Sequence, residues 1–229
     1  MPGSSRSDHQ FRLPEAGSPV ILWKNGSCEP ATGLSESAIL PGAFNPIHEG
    51  HRGLREAAAA FLGRQVFLEL SICNVDKPTL SADEIHRRLQ QISDCHVLLT
   101  NAALFVDKAR LFPGCWFVVG FDTAERILDP KYYGQDVRKR DQSLRDLRSA
   151  SVKFLVAGRV DLQREPVVFR RMSQLAVEHD CDDLFVELPE SWFRADTSSR
   201  AIRKQEKYGG TESVPDAAIA PDPGQVPGG

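Results

Sequence analysis

The chain has 229 residues, of which 41% are hydrophobic and 26% are charged, and its formal net charge at pH 7 is -3. This length suffices for one sizeable core. No apolar run is long enough to span a bilayer, and the slightly acidic balance argues against a general nucleic-acid binder. An N-terminus without an apolar segment and five scattered cysteines predict a cytoplasmic protein with reduced thiols and no membrane partner.

The two ends of the chain are predicted to be flexible segments on either side of one domain. Residues 1–18 are rich in serine, glycine and proline, and residues 209–229 form a Pro/Gly-rich tail without apolar periodicity. Residues 19–208 are therefore predicted to form the folded domain. The sequence leaves a homo-oligomer open.

Short apolar runs alternate with helical patterns between these ends. The predicted strands are 21–23, 38–40, 66–70, 96–100, 115–119, 152–156 and 184–188, and the predicted helices are 49–63, 82–93, 102–111, 123–129, 141–149, 168–179 and 197–207. This alternation predicts an α/β fold, a Rossmann-like doubly wound parallel sheet with flanking helices. Sheets of this kind bind ligands in the crevice at the carboxyl ends of their strands.

The segment PGAFNPIHEGHRGL, residues 41–54, leads from the second predicted strand into the first predicted helix. Gly42 permits a positive φ and a close approach of the backbone to a ligand. His48 and His51 are three residues apart, on one face of the first helical turn, and Gly50 between them leaves room for a bound group. Imidazoles beside a helix N-terminus predict a phosphate site with a switchable positive charge. A zinc pair and two incidental surface histidines are the alternatives, although no third zinc ligand has convincing spacing.

The stretch GAFNPIHEGH resembles the G-x-F-[DN]-P-x-H-x-G-H motif of the nucleotidyltransferase superfamily. Members include nicotinamide- and nicotinate-mononucleotide adenylyltransferases and cytidylyltransferases. The matching residues are Gly42, Phe44, Asn45, Pro46, His48, Gly50 and His51. The resemblance implies that His48 and His51 are catalytic. It also implies a nucleotide-binding loop made of Gly42, Ala43, Phe44, Asn45 and Gly50.

A second motif of this family is the I-S-S-T-x-I-R sequence that opens a late helix, and RADTSSRAIRK, residues 194–204, is similar to it. The matching residues are Ser198, Ser199, Ile202 and Arg203. Thr197 stands where isoleucine is usual, and Arg200 stands where threonine is usual. The resemblance implies a catalytic Arg203, nucleotide contacts from Ser198 and Ser199, and Arg200 as a phosphate candidate. From the residues alone, an ordinary capped surface helix is the alternative.

Two further stretches resemble the mononucleotide adenylyltransferases. In VVGFDTAERILDPKYYG, residues 118–134, Gly120 and Asp122 match a nucleotide-binding G-x-D element. Asp122 would contact a ribose, and its alternative role is the N-cap of the following helix. Tyr132 and Tyr133 stand near the place of a tryptophan that packs on a pyridine ring, and are candidates for acceptor contacts.

The other stretch, ELSICNVDKPTLSADEIHRRLQQI, is residues 69–92. In the similar enzymes a lysine here precedes a helix that bears an arginine. Lys77 is therefore a candidate for a cation that faces phosphate, followed by Arg87 or Arg88. The alternative for both arginines is a solvated helix flank.

The family resemblance implies transfer of AMP from ATP to a small phosphorylated acceptor, with nicotinamide mononucleotide the best match, and release of pyrophosphate. Mg²⁺ would accompany the triphosphate, and no metal-ligand set is predicted in the protein. A cytidylyltransferase that uses CTP and a nucleotide-binding homologue without turnover are the alternatives. An RNA-binding module is suggested by VRKRDQSLRDLR, residues 137–148, whose interleaved acids favour a plain solvated segment.

Overall fold

A computed structural model of the chain describes residues 21–24, 27–31, 34, 36–73, 78–161, 168–177 and 179–194. The predicted flexible ends, the predicted helix 197–207 and Lys77 lie outside these ranges. The strands within them are β1 Ile21–Lys24, β2 Ser27–Pro30, β3 Ala38–Pro41, β4 Val66–Ser71, β5 Val97–Thr100, β6 Trp116–Gly120, β7 Lys153–Ala157, β8 Arg159–Asp161, β9 Val168–Arg170 and β10 Phe185–Leu188. The α-helices are α1 Glu49–Leu62, α2 Ala82–Leu89, α3 Phe105–Leu111, α4 Phe121–Leu128 and α5 Val137–Ser149. Short 3-10 helices cover Pro130–Tyr133, Met172–Gln174 and His179–Leu184.

Eight of these strands form one sheet in the order β10-β7-β6-β3-β4-β5-β1-β2. Strands β3 to β7 and β10 pair in parallel, whereas β1 is antiparallel to both β5 and β2. The predicted Rossmann-like α/β fold is therefore confirmed as a mostly parallel sheet with flanking helices. The antiparallel edge was not predicted, because the exposed strand β2 has no apolar alternation.

The order of the parallel strands reverses between β3 and β6. From β3 the chain moves outward through β4 to β5, and then crosses to β6 on the other side of β3. A crevice at such a reversal is where open α/β sheets bind ligands. Strand β3 ends at Pro41 and β6 ends at Gly120, so the loops after these two residues open at the same place.

Both faces of the sheet are covered, which gives three layers. Helices α1 and α2 pack on one face through Leu54, Ala58, Ile85 and Leu89. Helices α3, α4 and α5 pack on the other face, around a cluster that contains the stacked rings of Phe117 and Phe154. Continuous burial on both faces explains why the central strands are nearly uninterrupted apolar runs.

The predicted helix at 168–179 is wrong. Residues Val168–Arg170 form strand β9, which pairs antiparallel with β8, and 3-10 turns follow it. The physical reason is local packing: Phe169 lies against Gly158, where a Cβ atom would come within 2.4 Å of the phenylalanine ring. β-branched and aromatic residues fit such a paired strand better than a helix.

Two expectations about the whole chain can be compared with the described residues. All five cysteines lie within them, and no disulfide joins these cysteines. Among the described helices, none combines the length and the apolar content that crossing a membrane requires.

Candidate functional site

Helix α1 begins at the histidine segment. His48 is the N-cap residue, with an extended backbone (φ -146°, ψ 170°), and Glu49 is the first helical residue. The main-chain N–H of His48 donates to Nδ1 of His51 over 3.3 Å, which is one half of a reciprocal capping arrangement. The centroids of the two imidazole rings are 3.8 Å apart. The structure thus brings the two predicted histidines together at the N-terminus of α1.

The protonation state of His51 follows from its surroundings. Burial first, and then the neighbouring His48 and Arg52, lower the pKa of His51 from 6.5 to about 4. The ring is therefore neutral at pH 7. Because Nδ1 accepts a hydrogen bond, the assigned tautomer carries its proton on Nε2. His51 is thus a neutral N–H donor, and the switchable positive charge expected from the histidine pair is wrong for this residue.

This low pKa predicts a pH dependence of stability. Between pH 6.5 and about 4 the unfolded chain binds a proton at His51 that the folded chain does not bind. The contribution of His51 to the free energy of unfolding is therefore present above pH 6.5 and is lost as the pH falls through this window, at about 1.4 kcal/mol per pKa unit. Urea unfolding at pH 7 and pH 4.5 should show a larger loss for the parent than for His51→Asn. The exposed-histidine variant His86→Asn should keep the parent's response, and an equal loss in all three proteins would contradict the assignment.

The loop before α1 is built around Phe44. This ring is 1% exposed and meets the His51 ring edge-on, with centroids 5.2 Å apart. Phe44 has the positive φ of this loop, 44°, and the positive φ that Gly42 permits is not used. Gly42 is required for another reason, since a Cβ atom there would lie 2.6 Å from the Phe44 ring.

Helix α2 clamps this loop through two arginines. The buried Arg88 donates from Nη1 to the carbonyl oxygen of Ala43 over 2.8 Å, and Arg87 donates from Nη2 to Oδ1 of Asn45 over 2.7 Å. Both guanidinium groups also bind Glu84, and their hydrogen bonds lower the pKa of its carboxyl group to about 2. The structure therefore places these predicted phosphate-facing arginines on the loop that carries the histidine motif.

Removal of the two arginines should have unequal effects. Arg88→Met leaves the Ala43 carbonyl and the Glu84 carboxylate without their buried partner, and should lower the free energy of unfolding by about 1–3 kcal/mol. Arg87→Met removes a half-exposed side chain and should lower the free energy of unfolding far less than Arg88→Met does. Urea midpoints of the two variants measure the difference. Equal losses would show that Arg88 does not hold the loop.

The second side of the crevice is the junction of β6 and α4. Gly120 is the N-cap of α4, without a side-chain cap, and a Cβ atom on it would meet no other atom within 4 Å. Asp122 lies in the first turn and pairs with Arg159 of β8, so its alternative role as the N-cap is wrong. Arg159 was not predicted from the sequence. The sequence feature that could have indicated it is its position as a cation shortly after the carboxyl end of β7.

The two predicted acceptor tyrosines follow the C-terminus of α4. The hydroxyl group of Tyr133 donates to the carbonyl oxygen of Ile127 over 2.9 Å, and burial raises the pKa of this tyrosine. Tyr132 is 39% exposed, with the guanidinium of Arg126 5.9 Å from its ring centroid. An eight-residue helix is about 12 Å long, and this length separates both tyrosines from Gly120 along α4.

Several predicted site residues lie outside the described residues: Lys77, Ser198, Ser199, Arg200 and Arg203. The last described residue is Arg194, the first residue of the stretch RADTSSRAIRK. There Glu190 accepts from Arg194 over 2.6 Å and from Arg171 over 3.2 Å. The pair between Arg171 and Glu190 brings this segment next to the end of strand β9.

The described part of the chain contains no group of three or more histidine, cysteine, aspartate or glutamate side chains that could hold a metal ion. The zinc alternative for His48 and His51 therefore finds no third ligand among these residues, and a structural zinc site needs four ligands.

The fold and this geometry together define an α/β protein in which the strand order reverses between β3 and β6, with α1 beginning after β3 and α4 after β6. No protein-family model matches the chain. The chain is similar to a protein of Schizosaccharomyces pombe (strain 972 / ATCC 24843) named "Putative nicotinamide mononucleotide adenylyltransferase", with 35% identity in an alignment of 137 residues that covers 54% of this chain. The aligned region covers 53% of that relative, so the chain spans about half of its length. The match confirms the resemblance to nicotinamide-mononucleotide adenylyltransferases that the motifs indicate.

Proposed function

We propose that this chain is a nucleotidyltransferase that transfers AMP from ATP to nicotinamide mononucleotide and releases pyrophosphate. The observation that carries the proposal is the pair of helix N-termini at the strand-order reversal: α1 with His48 and His51, and α4 with the open space beside Gly120. Such N-termini favour bound phosphate groups. The name of the Schizosaccharomyces pombe relative supports the choice of acceptor.

The proposed reaction needs no general base. The second pKa of a phosphate monoester is about 6, so the attacking phosphate of the acceptor is already largely ionised at neutral pH. One of its oxygens attacks the α-phosphorus of ATP, the bond from that phosphorus to the bridging oxygen breaks, and pyrophosphate leaves. Catalysis then consists of holding two anions in line and stabilising the charge that develops on the phosphates.

The scheme gives the following roles to the predicted site residues. Neutral His51 donates from Nε2–H, and His48 together with the first free N–H groups of α1 completes the donor set for the triphosphate. Gly120 lets the nucleotide approach the backbone, and Asp122 binds a ribose. From the late motif, Ser198, Ser199 and Arg203 would hold the outer phosphates, with Arg200 and Lys77 as further cations. Tyr132 and Tyr133 are left out of the scheme because α4 separates them from Gly120.

Mg²⁺ is proposed to arrive with the nucleotide as part of the substrate. This ion prefers oxygen ligands, usually one or two carboxylates, substrate phosphates and several waters. The described residues contain no group of three or more histidine, cysteine, aspartate or glutamate side chains that could hold a metal ion. The scheme assigns Mg²⁺ to the nucleotide, and no step passes through a protein-bound ion.

The test is to incubate the purified full-length protein with ATP, Mg²⁺ and nicotinamide mononucleotide, and to measure NAD and pyrophosphate. We expect both products in equal amounts, and their loss in the His48→Asn/His51→Asn variant. Pyrophosphate from CTP and a phosphorylated alcohol without NAD formation would instead establish the cytidylyl reaction. Calorimetric binding of ATP with no product in any arm would establish a binding protein without turnover.

A further inference from the structure

A buried polar cluster lies outside the loop–helix site. Glu69 on β4, Thr100 at the end of β5 and Lys108 on α3 are 1%, 1% and 4% exposed. The ammonium group of Lys108 lies 2.6 Å from Oε1 of Glu69 and also donates to the carbonyl oxygen of Ala102 over 2.7 Å. The hydroxyl group of Thr100 donates to the same carboxylate oxygen.

Stability alone does not explain this cluster. The removal of two charges from water opposes folding, and a buried ion pair can often be replaced by apolar side chains without loss of stability. In addition, the second carboxylate oxygen of Glu69, Oε2, is buried and has no hydrogen-bond partner. A buried polar atom of this kind calls for an explanation.

The cluster is connected to the candidate site through the main chain. Glu69 is in register with Pro41, the last residue of β3, and its carbonyl oxygen accepts from the N–H of Gly42 over 2.9 Å. The Ala102 carbonyl also accepts from the Ser71 hydroxyl over 2.8 Å. The cluster thus joins the carboxyl ends of β4 and β5 to Gly42, where the loop that leads to His48 and His51 begins.

We propose that Glu69 and Lys108 are positioning residues, whose charged pair orients the carboxyl end of β4 and thereby sets the path of the loop from Gly42 to His51. The proposal rests on the proposed function for its catalytic consequence only. The main chain at Gly42 has little room to move, because the Phe44 ring occupies the place where a Gly42 side chain would stand. A change in the orientation of β4 is therefore passed along the loop to Phe44 and to the His51 ring that it contacts.

The test uses the double variant Glu69→Leu/Lys108→Met of the full-length protein. Because both charges leave together, the melting temperature should remain near or above that of the parent. We expect the imidazole NMR signals of His48 and His51 to move and the kcat for NAD formation to fall at least tenfold. Lys108→Arg, which keeps the charge, should retain more activity than the double variant. The matched control is Arg148→Met/Asp183→Leu, which removes an ion pair between α5 and the 3-10 helix His179–Leu184 and should leave both readouts unchanged.

Unmoved histidine signals in the folded double variant would overturn the proposal. If Glu69→Leu/Lys108→Met does not fold, the variant Glu69→Gln/Lys108→Met takes its place, because it retains an acceptor for the Thr100 hydroxyl group. Its histidine signals and its kcat are measured in the same way. The NMR comparison needs no substrate. Absence of NAD formation by the parent would therefore count against the proposed function, while the positions of the histidine signals would still decide whether the buried pair orients the loop.

Discussion

Replacement of His51 by alanine should lower turnover by about 100-fold or more, because it removes one preorganised donor from the site where charge develops on the phosphates. The loss should be in kcat, and the affinity for ATP measured by calorimetry should change much less. The assay is NAD formation under saturating ATP and nicotinamide mononucleotide.

This variant should also lose some stability, since His51 accepts the His48 N–H and contacts the Phe44 ring. The expected loss is about 1 kcal/mol, the typical net contribution of one hydrogen bond. The exposed-histidine variant His86→Ala is the control and should keep parental turnover. A folded His51→Ala protein with unchanged kcat would remove His51 from the mechanism.

Gly42→Ala should damage both stability and activity. The new methyl group would lie 2.6 Å from two carbons of the buried Phe44 ring, so the ring or the loop must move. Overpacking of this kind costs about 1–3 kcal/mol. Because Phe44 contacts His51, we expect kcat to fall at least tenfold as well.

The matched control for this variant is Gly53→Ala, the same substitution within α1. There the new methyl group would meet only Phe193, at 3.4 Å, which is ordinary contact. Replacement of a mid-helix glycine by alanine should raise the free energy of unfolding by up to about 1 kcal/mol and leave turnover unchanged. Urea unfolding and the NAD assay on both variants test the pair. Equal behaviour of the two variants would mean that the contact between Gly42 and Phe44 does not shape the site.

Local sequence patterns determined the main elements of the fold. Nearly uninterrupted apolar runs predict β4, β6 and β7, because both faces of the sheet are buried. The helical stripe that contains Leu54 and Ala58 predicts α1, because only one face of that helix is buried. The predicted helix at 168–179 failed because β9 owes its conformation to pairing with β8, which is a contact between segments and not a local preference.

The sequence also placed the histidine segment at the start of a helix after a strand, since glycine, proline and histidine there have strong local requirements. The properties of the individual groups came only from tertiary contacts. The neutral state of His51 depends on its burial, and the positive φ of Phe44 depends on how its ring packs under Gly42.

The same distinction applies to the charged residues. Arg88 is indistinguishable in sequence from a solvated helix arginine, and only the packing of α2 on the loop brings it to Ala43. Glu69 and Lys108 are 39 residues apart and meet because α3 crosses the face of the sheet that carries the Glu69 side chain. Burial and pairing energies depend on which segments approach one another in space. The sequence by itself therefore determined where the candidate site lies in the chain, and the tertiary structure decided which charges are available within it.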